Sequence, residues 1–96
     1  MTIEKKQEGT SLTIALGGRL DTTTAPQLEQ ELELVGITDL TLDMNDLDYI
    51  SSAGLRVILK AQKQMDTQGT MKLTRVNDIV KEIFEVTGFS DFITFA

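Results

Sequence analysis

Cysteine and histidine are both missing from this 96-residue sequence. Without cysteine there is no disulfide framework, no thiol nucleophile and no thiolate zinc site. Without histidine there is no imidazole ligand and no Ser–His–Asp triad. Proline occurs once and glycine seven times, too few for a linker or a disordered chain. Cations are scarce as well: nine Lys and Arg against fifteen Asp and Glu leave a net charge of −6. Nucleic-acid binding and docking on anionic lipid both depend on cations that neutralise phosphate, so this balance argues against both. No stretch approaches the roughly 18 apolar residues of a membrane span. Met1 leads into the polar run Thr2 to Glu8 rather than an apolar signal core. The expectation is a soluble, cytoplasmic protein with no membrane insertion.

What is present is ordinary for a globular protein: 41% hydrophobic and 25% charged residues. The length suits a single domain over residues 1–96, built on one core. Alternating apolar residues on either side of Glu8-Gly9-Thr10 predict a hairpin with strands near 2–7 and 11–17. Thr24 and Gln27 fit a capping box, with Pro26 in the first turn of the helix that follows. Ala25, Leu28, Leu32 and Val35 give its inner face, and Gly36 its end. Leu40, Leu42 and Met44 predict a central strand, ending in an acidic turn at Asn45-Asp46-Leu47-Asp48. Leu55, Ile58, Leu59, Gln62 and Met65 then mark one face of a second helix, broken at Gln68-Gly69. Met71, Leu73 and Arg75 predict the next strand. Asn77 reads as the N-cap of a third helix with Ile79, Val80, Ile83, Phe84 and Thr87 inward and Gly88 at its C′ position. Phe92 to Phe95 would form a short last strand. Helices alternating with strands imply parallel crossovers, hence an α/β domain of order ββαβαβαβ.

Asp43 to Leu59 is the most informative stretch. A strand ends, an acidic turn follows, and two serines open an amphipathic helix. Ser52 stands at the N-cap or in the first turn. A serine there caps a helix and needs no further function. The same position also displays a hydroxyl that can be phosphorylated. A phosphoserine carries about −1.5 to −2 charges, which free N–H groups and the positive end of the helix dipole tolerate. A partner covering that spot does not tolerate them. Ser52 is therefore a candidate switch that alters binding while sparing the fold.

The run Asp46-Leu47-Asp48-Tyr49-Ile50-Ser51-Ser52-Ala53-Gly54-Leu55, continued by Arg56 to Leu59, closely resembles the signature of STAS domains, specifically the bacterial anti-sigma factor antagonists. Gly18-Arg19-Leu20-Asp21 with Thr24-Ala25, and Val76-Asn77 through Thr87-Gly88-Phe89, resemble further family segments, so the likeness spans nearly the whole chain. It implies a mixed four- to five-stranded sheet with helices packed mainly on one face. It also implies a partner: an anti-sigma factor with serine kinase activity, bound so that a sigma factor is released. Phosphorylation by that kinase ends the binding, and a phosphatase restores it. Gly54 and Leu55 set the register, which makes Ser52 the modified residue, with Ser51 a minor second acceptor. Ser51 replaces the Asp often found in the family and Ala53 a Ser or Thr.

The partner-binding candidates are Asp21, Thr22, Leu47, Tyr49, Ser51, Ser52, Ala53, Gly54, Arg56 and Lys60. Asp21 reads equally well as a turn residue before the first helix. Arg56, Lys60 and Lys63 form a polar stripe that is either simply solvated or orients a partner. Gly54 would let backbone pass close to whatever approaches the helix start. Phe84, Phe89, Phe92 and Phe95 are expected in the core. No cofactor is expected: the two glycines Gly17-Gly18 lack a nucleotide-binding pattern, and ATP and Mg²⁺ would belong to the partner kinase. No catalytic residue is assigned, because a serine here has no obvious base. Two rival readings remain, an unphosphorylated accessory subunit of a transport ATPase and an enzyme holding Mg²⁺ on Asp43, Asp46 and Asp48. The acidic cluster lacks the glycine and terminal glutamate of a calcium loop and is expected to be a solvated turn.

Overall fold

A computed structural model describes all residues, 1–96. The hairpin forms as β1 (Thr2–Glu8) and β2 (Ser11–Leu20), paired antiparallel with Ile3 opposite Leu16. Then come α1 (Ala25–Glu31), β3 (Asp39–Ile50), α2 (Ser52–Asp66), β4 (Thr70–Thr74) and α3 (Asp78–Val86). A single 3₁₀ turn, Phe89–Phe92, follows them. The sheet runs β1-β2-β3-β4 in space, with β2, β3 and β4 parallel. Both crossovers, through α1 and through α2, step in the same direction across the sheet. Because such crossovers are right-handed, both helices land on the same face.

That face holds the core. Leu12, Ile14, Leu16, Leu40, Leu42, Met44, Met71 and Leu73 pack from the sheet against Leu28, Leu55, Ile58, Ala61, Met65, Val80 and Phe84 from the helices, within one cluster of 23 residues. The alternate strand residues Ser11, Thr13, Thr70 and Lys72 are exposed on the opposite face. Phe84 meets Phe95 edge to face at 5.6 Å. This is the mixed, one-sided α/β architecture that the resemblance implies, with four strands.

Several elements differ from the sequence reading. Helix α1 stops at Glu31, and the chain runs irregularly to Thr38. Leu34 and Ile37 are the buried residues there, while Val35, expected inward, is 94% exposed. The side chain of Gln68 donates to the carbonyl of Ile37, which satisfies backbone freed by the missing helical turn. The capping box at Thr24 does not form. Asp21 accepts from the Thr23 and Thr24 amides instead, and the Thr24 hydroxyl donates back to the Arg19 carbonyl at 2.8 Å.

Strand β3 does not end in a turn at Asn45 but continues to Ile50. Its pairing with β2 shifts twice, between Ala15 and Gly17 and between Gly18 and Arg19. Each shift inserts an extra residue, so the buried positions go from Leu42 and Met44 to Leu47 and Ile50, and period-two alternation is lost. Asn45, Asp46 and Asp48 are solvated, but on a strand. The expected last strand is replaced by the 3₁₀ turn and one bridge between Leu73 and Phe95. Ile79, Thr87 and Phe92, expected inside, are exposed, Ile79 at 63% and Phe92 at 66%. Helix α3 otherwise forms as its sequence indicates, with Asn77 Oδ1 accepting from the Val80 amide at 2.8 Å and Gly88 left-handed at φ 79°.

Candidate functional site

The site forms where β2 and β3 end side by side. Leu20 pairs with Ile50, and the Leu20 carbonyl accepts the Ser51 amide at 2.8 Å. From there the two chains diverge, β2 into Asp21–Thr24 and β3 into α2. The turn between strand and helix is a single residue. Ser51 is extended (φ −97°, ψ 174°), and its hydroxyl accepts from the Gly54 amide at 3.5 Å while its carbonyl accepts from Leu55 at 2.9 Å. Ser51 is therefore the N-cap. Ser52 is the first helical residue, exposed, and its hydroxyl makes no hydrogen bond within the chain.

Electrostatics favour an anion at this end of α2. Its first turn contains no acidic residue, in contrast to α3, where Asp78 occupies the first turn. The positive end of the α2 dipole thus has no carboxylate of its own. Gly54 is buried, and its role is internal packing. A Cβ there would stand 2.6 Å from Leu20 Cγ and 3.0 Å from Ile50 Cγ1. What approaches the helix start at Gly54 is the chain's own Leu20, so Gly54 is corrected from a partner contact to a packing residue. Leu47, another expected contact, is 1% exposed and belongs to the core. Its carbonyl accepts from Asn77 Nδ2 at 2.7 Å, which fastens β3 to the start of α3.

The other candidates surround Ser52 in different states. Asp21 is half-buried, and its carboxylate accepts from the Thr23 hydroxyl at 2.7 Å and from the Thr23 and Thr24 amides at 3.0 and 3.2 Å. Those bonds, the Thr23 hydroxyl first, hold its pKa below the ordinary value of 3.8. Asp21 is thus a turn residue by structure, and an anion on the rim of the site. Thr22 is exposed and Ala53 half-buried against the core. Tyr49 is half-buried beneath Arg19, whose guanidinium carbon lies 4.4 Å from the ring centroid. No local pattern in the sequence signals this pair. It arises because Arg19 and Tyr49 are partners across β2 and β3, a register hidden by the bulges. Arg56 is exposed, whereas Lys60 reaches sideways to Glu29 on α1 at 2.9 Å. Asp43, Asp46 and Asp48 do not converge into a cluster of three metal ligands. Asp43 instead pairs with Arg75 through both of its oxygens, and this holds its pKa down.

The family model for the STAS domain matches residues 2–96. The putative anti-sigma factor antagonist BtrV of Bordetella bronchiseptica is 43% identical over 82 residues, which span 81% of this chain and 71% of that protein. The anti-sigma-B factor antagonist of Listeria monocytogenes is 32% identical over 98 residues, 97% of this chain and 86% of its own. Among solved structures, the anti-sigma factor antagonist SpoIIAA in its unphosphorylated form superposes with a TM-score of 0.83 at 17% identity, covering 99% of this chain and 88% of that one. The phosphorylated form of the Bacillus SpoIIAA gives 0.77 at 16% identity, over 99% and 91%. No helix is long and apolar enough to cross a membrane.

Proposed function

This chain belongs to the STAS-domain family, and from that premise we propose that it is an anti-sigma factor antagonist switched by phosphate on Ser52. In its unmodified form it binds an anti-sigma factor in the cytoplasm and so frees a sigma factor. The anti-sigma factor is also the serine kinase that modifies it, and a phosphatase reverses the modification. The chain contributes a surface and an acceptor hydroxyl, and the chemistry on ATP belongs to the partner. Its relatives named anti-sigma factor antagonists, and a fold shared with a protein solved in both phosphorylated and unphosphorylated forms, support this reading.

The observation that matters most is the division of labour between adjacent serines. Ser51 spends its hydroxyl on the helix cap, and Ser52 keeps its own free and exposed one residue later. A phosphate on Ser52 would add about −1.5 to −2 charges at a helix start with no competing carboxylate. The dipole makes that locally favourable by about 0.3–2 kcal/mol, so the fold survives. For a docked partner the same group is an unpaired charge removed from water, at a cost of several kcal/mol. About 4 kcal/mol weakens binding roughly a thousandfold. Asp21, already ionised on the rim, adds to the repulsion. Thr22, Tyr49, Ala53 and Arg56 complete the docking surface, and Lys60 borders it.

The test is phosphate transfer. Incubation with the anti-sigma kinase and ATP, followed by peptide mapping, should place one added phosphate on Ser52, and Ser52→Ala should abolish it while preserving anti-sigma binding. Ser52→Asp should fold normally and bind at least about a hundredfold more weakly, a loss of roughly 2.7 kcal/mol. A chain that stays unmodified, or a Ser52→Asp variant that binds as tightly as wild type, would refute the switch and return the accessory-subunit role to first place.

A further inference from the structure

We propose that the groove between the second half of α2 and the 3₁₀ turn is a second protein-docking site, built to take an arginine side chain from a partner. The groove encloses about 550 Å³ and is lined by Leu59, Gln62, Lys63 and Asp66 of α2 with Phe89, Asp91 and Phe92 of the turn. Three features of it converge on a guanidinium group. Phe92 presents an aromatic ring at 66% exposure, on a face no residue of this chain covers. Leu59 and Phe89, both half-buried, supply an apolar wall for an aliphatic stem. Two carboxylates, Asp66 and Asp91, outnumber the one cation, Lys63, and neither Asp91 nor Lys63 takes part in an ion pair. Gln62, only 8% exposed, gives its amide hydrogen to Asp66 Oδ1 at 2.7 Å and so fixes that carboxylate at the groove wall.

Arginine matches all three. Its planar guanidinium stacks on an aromatic ring, and its five donors can serve both carboxylates together. A lysine ammonium has no plane to stack. A purely apolar side chain would cover Phe92 but leave the carboxylates desolvated and unpaired. The site is independent of the Ser52 switch. Gln62 lies ten residues further along α2, about 15 Å at 1.5 Å per residue. That is roughly twice the screening length at physiological salt, so charge on Ser52 leaves the groove unaffected.

The experiment is an NMR titration of the full chain, isotopically labelled, with Nα-acetyl-arginine amide as probe. Nα-acetyl-lysine amide and Nα-acetyl-norleucine amide serve as controls. Saturable shifts are expected at residues 59–66 and 89–92 and at the Gln62 side-chain amide. The arginine probe should bind at least about fivefold more tightly than either control. Asp91→Asn and Phe92→Ala, both exposed positions, should each weaken it about threefold or more with an unchanged backbone spectrum. Ser52→Asp should leave it unaltered. Equal binding of all three probes would mean a merely greasy groove and would overturn the proposal. So would the absence of saturable shifts, or shifts centred elsewhere.

Discussion

Ser51 and Ser52 have identical side chains, and their difference lies in the backbone. Ser51 is extended and turns its hydroxyl onto the helix, whereas Ser52 is already helical and projects its own away. Their substitutions should separate accordingly. Ser51→Ala removes the cap and should cost about 0.5–2 kcal/mol. Ser52→Ala, at an exposed position without partners, should stay within about 0.5 kcal/mol of wild type. Urea unfolding of both variants measures the pair, and equal losses would contradict the assignment of the cap. Gly54 allows a sharper test. Replacing a helical glycine with alanine ordinarily gains about 1 kcal/mol. Here the added methyl meets Leu20 at 2.6 Å, and overpacking costs about 1–3 kcal/mol. The steric cost outweighs the gain in helix propensity, so Gly54→Ala should lower the urea midpoint at an unchanged slope.

Elements are legible in the sequence where one physical signal is undisturbed. Helices α2 and α3 show apolar residues at helical spacing between a capping serine or asparagine and a clear stop, and they form as expected. Helix α1 is shorter than its sequence suggests because Leu28, Leu32 and Val35 keep a helical period that the tertiary structure overrides. The chain leaves the helix so that Leu34 and Ile37 enter the core under Gln68. That reversal predicts opposite outcomes at adjacent residues. Leu34→Ala should cost about 2–5 kcal/mol, while Val35→Asp should stay within about 0.5 kcal/mol. Denaturation midpoints of the two variants check it. Strand β3 runs past its sequence signal because two bulges erase its alternation after Met44, and the same bulges make Leu47 look like a turn residue facing a partner. At the candidate site, the exposed place of Ser52 at the start of α2 is legible from the apolar period that opens at Leu55. The Arg19–Tyr49 stack is not, since it depends on a cross-strand pairing no local pattern encodes.

On the scale of the molecule, the three parallel strands point the same way but end at two levels. Leu20 and Ile50 finish side by side next to Ser52 and the Asp21 turn, whereas β4 ends at Thr74 opposite Asp43, well before Ile50, and the Arg75 corner lies at that lower level. Both levels are held by acid. Asp21 ties down the start of α1. Asp43 grips Arg75, the only non-glycine residue with a positive φ (54°), just beyond β4. The Arg75 bonds hold the Asp43 carboxyl below its ordinary pKa of 3.8, and the Thr23 and Thr24 bonds do the same for Asp21. A carboxyl whose pKa is depressed by folding stabilises the folded state fully above its unfolded value. That contribution is lost as pH falls through the folded one. Stability should therefore be flat on this account from neutrality down to about pH 4 and then decline as both anchors protonate. Asp43→Asn removes one of the two titrating anchors in advance. It should lower the melting temperature at pH 7 and make the fall below pH 4 shallower than in wild type. Melting curves at half-unit intervals from pH 7 to pH 2.5 read both effects, and a parallel fall in the two proteins would show that the Asp43–Arg75 pair does not hold the end of β4.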